Sequence, residues 1–189
     1  MLKTLVSKYL DGRHEEYQYI DLIKDIISHG EFIEGRNGTT KVVIGASMIF
    51  SLENNKIPIL TTKKVAWKTC LKELLWFIKG STSNTLLKEQ NVRIWNDNAS
   101  REFLDSRGLQ HLKEDDLGPV YGHQWRFFNA EYQDCNTNYS GKGVDQLQYV
   151  INALKDPVER YSRRLIVSAW NPCQIDKMAL PPCHVLMHF

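Results

Sequence analysis

The chain has 189 residues, of which 42% are apolar and 11% aromatic, enough to bury one substantial core and consistent with a single domain over residues 1–189. A formal net charge of +2 with 24% charged residues excludes a global attraction to nucleic-acid polymers or anionic membranes, so any anion recognition has to be local. Lysines interrupt the apolar residues of Met1-Leu2-Lys3-Thr4-Leu5-Val6-Ser7-Lys8 before a secretory or membrane-spanning run can form, which points to a soluble, cytoplasmic protein.

In chain order, Tyr19, Ile20, Ile23, Ile26 and Ile27 recur at helical spacing, with Gly30 where a left-handed C-terminal cap would fall. Between Lys41 and Leu52 the β-branched and apolar residues predict a strand, and Gly45 suggests a bulge. From Val65 to Ile78 apolar residues occupy so much of the helical surface that a largely buried helix ending at Gly80 is expected. Asn96 to Gln146 reads as loop around Gly118-Pro119-Val120-Tyr121-Gly122, and long ordered loops tend to be functional. Val144, Leu147, Ile151 and Leu154 predict a helix, Leu165 to Trp170 a buried strand, and His184 to Phe189 another. With no repeat or linker and no regular βαβ rhythm, the fold class is α+β.

Cys70, Cys135, Cys173 and Cys183 are widely spaced and form no Cys-x-x-Cys pair, so reduced thiols are expected; the adjacent Cys183-His184 cannot supply two ligands of one tetrahedral site, and no metal is expected. Pro181-Pro182 fix the backbone just before the Cys183 thiol, which suits a nucleophile, although a buried structural cysteine beside a turn has the same local sequence. Arg163 and Arg164, with Arg160 nearby, could bind a phosphate bidentately, although taken alone such residues are more often solvated surface charge. Glu73 shares a stripe with Ala66, Cys70 and Phe77 and is either a proton relay inside the fold or the one wet position of its helix. Trp76, Trp95, Trp125, Trp170 and Tyr121 suit a planar ligand or the core.

Taken together and in order, several segments resemble the thymidylate synthase family from about Tyr19 to Phe189. They are Leu60-Thr61-Thr62-Lys63, Glu73-Leu74-Leu75-Trp76-Phe77, Ile94-Trp95, Asp116 to Gly122, Gln124-Trp125-Arg126, Arg163 to Pro172, and Met178 to His184, while Ser140 to Gln146 resembles the longer loop of eukaryotic members. The resemblance implies a large mixed β-sheet packed with helices. It also implies transfer of a one-carbon unit and a hydride from 5,10-methylenetetrahydrofolate, the co-substrate, to C5 of dUMP, giving dTMP and dihydrofolate. Cys183 is then the thiolate that adds to C6, Glu73 orders the proton network, Tyr121 assists loss of the C5 proton, and His184 supports the nucleophile. Arg36 is implied as a ligand of the dUMP phosphate. Arg163 and Arg164 are implied to reach the partner's phosphate across a homodimer, and Lys63, Ile94, Trp95 and Asn98 to meet the folate.

Two departures from the family pattern stand out. The Arg36 loop is about one residue shorter than usual, and the chain stops at Phe189 where family members continue. The domain is therefore expected to be incomplete at its C-terminus, with open sheet edges and apolar faces and little synthase activity of its own. The rival readings are a related pyrimidine nucleotide hydroxymethylase, a catalytically silent fragment acting as a subunit or binding module, and, more remotely, a cysteine protease or acyl transferase using His123 or His188.

Overall fold

The computed structural model describes residues 12–35 and 38–189. Its backbone falls into two compact units, one ending at Ala66 and the other running from Trp67 to Phe189. The first contains helix α1 (Tyr17–His29), built on the expected isoleucine spacing. Gly30 follows it, but with φ −61° and ψ 145° the backbone is extended and not left-handed as the sequence suggested. Glycine is needed there for a different reason: a Cβ would lie 2.5 Å from the Ile26 carbonyl oxygen that the Gly30 N–H closes on.

Strands β1 (Glu31–Gly35) and β2 (Gly38–Val42) form an antiparallel hairpin, with Glu31 opposite Val42 and Gly35 opposite Gly38. The strand expected over Lys41 to Leu52 survives only at its first two residues. Gly30 and α1 directly precede Glu31, so β1 has no residue left to pair beyond Val42, and β-propensity without a partner does not make a ladder. Gly45 adopts φ +79° as a turn.

Glu16 is the one buried residue among those described in this unit. Its Oε1 accepts the Thr61 N–H (2.6 Å), the Thr62 N–H (2.8 Å) and the Thr62 hydroxyl (2.8 Å), while Oε2 accepts the Thr61 hydroxyl (2.6 Å). Hydrogen bonds of this kind favour the charged form, and they hold the Glu16 carboxyl at about 2 against an ordinary 4.5, the Thr61 hydroxyl contributing most. The Leu60-Thr61-Thr62-Lys63 segment is thereby tied to the start of α1.

The second unit begins with α2 (Trp67–Ile78), which closes in a Schellman arrangement: the Ser81 N–H bonds to the Trp76 carbonyl, the Gly80 N–H to the Phe77 carbonyl, and Gly80 takes φ +75°. The helix is not largely buried as expected. Only Trp76 and Phe77 are buried, whereas Trp67, Leu71, Leu74 and Leu75 remain 43–50% exposed, because the unit packs against its C-terminal turn alone.

Short helices α3 (Thr85–Lys88) and α4 (Arg101–Ser106) follow, the latter capped by the Ser100 hydroxyl accepting the Phe103 N–H. Then come α5 (Tyr121–Phe127) and α6 (Gln146–Lys155), with Asp145 capping α6 through the Gln148 N–H. The stretch read as loop thus holds two helices. Gly122 inside α5 hides the second of them from propensity, and it is glycine because a Cβ would lie 2.6 Å from the Ser81 carbonyl oxygen. On α6 the buried face is Val150 and Ala153, while Ile151 and Leu154 stay largely exposed.

Strands β3 (Ile166–Ser168) and β4 (Leu186–His188) pair antiparallel, Ile166 opposite His188 and Ser168 opposite Leu186. Among the described residues the sheets are therefore two separate antiparallel pairs, and the large mixed sheet is not observed; the hydrogen-bonded segments are too short and too few to extend beyond their hairpin partners. The second unit's core gathers Leu87, Leu104, Leu117, Leu165, Val167 and Met178 around Trp76, Phe77 and Trp125. No helix among the described residues is long and apolar enough to cross a membrane.

Candidate functional site

Tyr121 opens α5, and its ring rests on Phe77 with centroids 4.5 Å apart. From that fixed position its hydroxyl accepts the N–H of Cys183 at 2.6 Å and that of His184 at 3.4 Å. The His184 ring lies tilted beside it at 5.8 Å. Pro182 is buried and the Cys183 thiol is exposed, so the segment is anchored by its backbone and presents its sulfur to solvent.

Glu73 stands one turn before Phe77 on α2, which places both on one face. It is half-buried, and its Oε1 accepts the Trp95 indole N–H at 2.7 Å. The Trp95 ring in turn meets Tyr121 edge-on at 6.2 Å. Cys183, His184, Tyr121, Glu73 and Trp95, drawn from four separate stretches of sequence, thus form one cluster. Burial raises the Tyr121 hydroxyl above its ordinary value; the two N–H bonds oppose this, and the charges available at Cys183 and Glu73 add to it. The phenol therefore stays protonated at neutral pH, accepting two backbone N–H groups with its own hydrogen left to give.

Around this cluster, Ile94 is exposed next to Trp95 and Asn98 is half-buried three residues on. Trp76, Trp95 and Trp125 all belong to the core, and Trp170 is 42% exposed. Arg163 and Arg164 are exposed just before β3, with the Arg163 carbonyl accepting from His188 Nε2 at 3.1 Å. The β3–β4 register puts this arginine pair at one end of the hairpin and the Cys183 segment beyond the other. Lys63 belongs to the first unit, where its ammonium lies 5.7 Å from the Tyr19 ring centre. Arg36 lies outside the described residues.

The four cysteines are free, and burial pushes the Cys135 thiol up to about 11; Cys70, Cys173 and Cys183 are exposed, and of these Cys183 is the one beside the Tyr121 hydroxyl and the Glu73–Trp95 pair. The histidines needed by a protease-like reading are engaged elsewhere: His123 is fully buried with Nε2 on the Ala130 carbonyl, and His188 serves the Arg163 carbonyl.

A family model described as thymidylate synthase matches residues 17–189. The chain belongs to the thymidylate synthase family. It is 51% identical over 183 residues to the thymidylate synthase of Saccharomyces cerevisiae and 54% over 176 residues to that of Candida albicans, matches that cover 95% and 92% of this chain. It is also 50% identical over its full 189 residues to the bifunctional dihydrofolate reductase-thymidylate synthase of Leishmania major. The chain spans 60% and 55% of the two fungal relatives and 36% of the bifunctional one.

Within this thymidylate synthase family member, the sequence alone singled out Cys183, Tyr121 and Glu73 and gave no sign of a group of buried amides near them. Gln124, Asn171 and Gln174 are each buried to within 4% of full burial and bond to one another. Gln124 and Asn171 lie in two of the family segments, yet a glutamine in an aromatic run carries no signal that it will be buried; only the approach of residues 171–174 to α5 makes it so.

Proposed function

We propose that this chain provides the nucleophilic half of a thymidylate synthase site, acting on dUMP with 5,10-methylenetetrahydrofolate as co-substrate. The single observation that carries this reading is the exposed Cys183 thiol whose N–H is held by the Tyr121 hydroxyl, next to the Glu73–Trp95 pair. C5 of a uracil ring is a poor nucleophile until a group adds at C6. The Cys183 thiolate forms that bond, and the electron pair displaced from the ring double bond lets C5 attack the folate's one-carbon unit. Loss of the C5 proton then expels the folate nitrogen, hydride from the folate reduces the remaining carbon to methyl, and the sulfur departs as the ring double bond re-forms. The folate supplies the one-carbon unit and the hydride.

In this scheme Glu73, fixed by the indole N–H, orders water on the pyrimidine side, and the Tyr121 hydroxyl donates its hydrogen bond to a water that it holds in place to receive the C5 proton. The exposed Ile94, with Asn98 and the buried Trp95 behind them, is assigned to a flat aromatic ring system, and the family resemblance assigns Lys63 to its anionic tail. His184 supports the nucleophile by its ring contact with Tyr121.

Arg36, Arg163 and Arg164 are assigned to phosphate, the last two across a homodimer. The β3–β4 register is consistent with the second assignment, since it puts the arginine pair off one end of the ladder and Cys183 off the other. A larger mixed sheet, formed when β3–β4 gains further strands, and a cytoplasmic location complete the proposal.

The test is incubation of the chain with 5-fluoro-dUMP and methylenetetrahydrofolate, followed by intact mass measurement. A covalent adduct that disappears in Cys183→Ser is expected. An adduct of the same yield in that variant would refute the assignment.

A further inference from the structure

Behind the cluster, Gln124, Asn171 and Gln174 make an amide network whose every orientation is determined by a neighbour. Gln124 Nε2 donates to the Pro119 carbonyl at 2.8 Å, so its Oε1 must be the atom that accepts from Asn171 Nδ2 at 3.2 Å. Gln174 Nε2 donates to the Ala130 carbonyl at 2.8 Å, so its Oε1 accepts the second Gln124 N–H at 2.7 Å. Asn171 Oδ1 accepts the Cys173 N–H at 3.1 Å, which turns its Nδ2 inward.

This network joins two elements that matter. Gln124 lies one turn along α5 from Tyr121, and Asn171 and Gln174 open the segment that ends at Pro181-Pro182-Cys183. The same segment is fastened twice more, by the Ala179 N–H on the Leu117 carbonyl at 3.0 Å and by the Cys183 N–H on the Tyr121 hydroxyl. Gly118 lets it approach, since a Cβ there would lie 2.2 Å from the Lys177 carbonyl oxygen.

We propose that Gln174, through Gln124, is a positioning residue that sets the register of the Cys183 segment against Tyr121, so that the thiol is held where a C6 carbon can be reached. The proposal rests on the thymidylate synthase reading for its chemical consequence, but the positioning itself is read independently of substrate. Gln174→Glu provides the test because its carboxyl, when protonated, reproduces the amide: one oxygen accepts from Gln124 and the O–H donates to the Ala130 carbonyl. Ionised, it faces that carbonyl with no hydrogen to give. His123, whose Nε2 lies on the same carbonyl at 3.1 Å, is the titratable group facing it in every variant, so each is read against wild type at the same pH. Gln174→Met removes both bonds at similar volume.

Hydrogen-exchange protection of the Cys183 amide, corrected for intrinsic rate, and the rate of 5-fluoro-dUMP adduct formation are measured from about pH 5 to about pH 8, the window in which a buried glutamate ionises. Gln174→Glu is expected to match wild type at the acid end and to lose roughly tenfold in both readouts at the alkaline end, while Gln174→Met loses roughly tenfold throughout. Wild-type behaviour of Gln174→Glu across the window overturns the proposal. So does collapse of its near-UV circular dichroism over the same window, which would make the network a stability element only. An amide that responds as expected in a chain whose wild type forms no adduct supports the positioning and overturns the dUMP reading instead.

Discussion

Tyr121 shows how one side chain can serve both the core and the segment that carries the exposed Cys183 thiol. Its ring is packed against Phe77 while its hydroxyl gathers the N–H groups of Cys183 and His184. Tyr121→Phe keeps the packing and removes the acceptor, so it is expected to cost roughly 1 kcal/mol in denaturant unfolding. It should also increase amide exchange at Cys183, readable by mass spectrometry. Glu16 acts at the same scale in the first unit. Its folded carboxyl lies at about 2 against 4.5 in the unfolded chain, so the stabilisation is present above 4.5 and is lost as pH falls towards 2. An acid titration of this unit followed by circular dichroism is expected to show that loss, and Glu16→Gln to be less stable at neutral pH with a flatter acid profile.

Among the elements, α5 and the segment leading to Cys183 depend on close backbone approach. Gly118 combines φ +73° with a would-be Cβ contact of 2.2 Å to backbone that cannot move aside as a side chain can. Gly118→Ala is therefore expected to destabilise the second unit by at least about 2 kcal/mol and to disorder the Cys183 segment first, as measured by local hydrogen exchange. His123, also on α5, sits among the rings of Phe127, Tyr132 and Tyr139 with Nδ1 unpartnered. Burial lowers its basicity below the ordinary 6.5, opposed by the bond to the Ala130 carbonyl. The unfolded chain thus binds the proton more tightly, and the second unit is expected to lose stability as pH falls below about 6.5. Thermal unfolding of His123→Phe at pH 7 and pH 5 checks this, since the variant should show the smaller difference.

For the whole molecule, the notable feature is how much apolar surface stays open. Ile166, Leu186, Val185 and Phe189 on the β3–β4 hairpin and Leu74 and Leu75 on α2 are all 40% exposed or more. Exposed apolar side chains in this number are characteristic of surfaces that associate. The proposed homodimer is accordingly expected to appear in sedimentation velocity as concentration-dependent association, weakened by Leu186→Glu; a strict monomer at working concentration would remove the cross-subunit role of Arg163 and Arg164.

How far the sequence could be read depended on the range of the forces involved. Local periodicity placed α1, α2 and α6, because amphipathic spacing is written within a dozen residues. The family segments marked Cys183, Glu73, Tyr121 and Trp95 as belonging together, and the family membership followed from them. Strand extents and α5 were not legible. Residues 43–52 have β-propensity but no partner strand, and Gly122 masks a helix that exists only because it lies against Ser81.

By itself, then, the amino-acid order determined the family and singled out the thiol assigned as the nucleophile in the proposed function, since both are properties of residue identity and spacing. The tertiary structure alone decided that the Tyr121 hydroxyl holds the Cys183 backbone, that Trp95 pins Glu73, and that three amides are sealed behind them. Those are contacts between groups 22 to 62 residues apart in the chain, and no local pattern encodes a hydrogen bond whose two ends meet only after the backbone has folded.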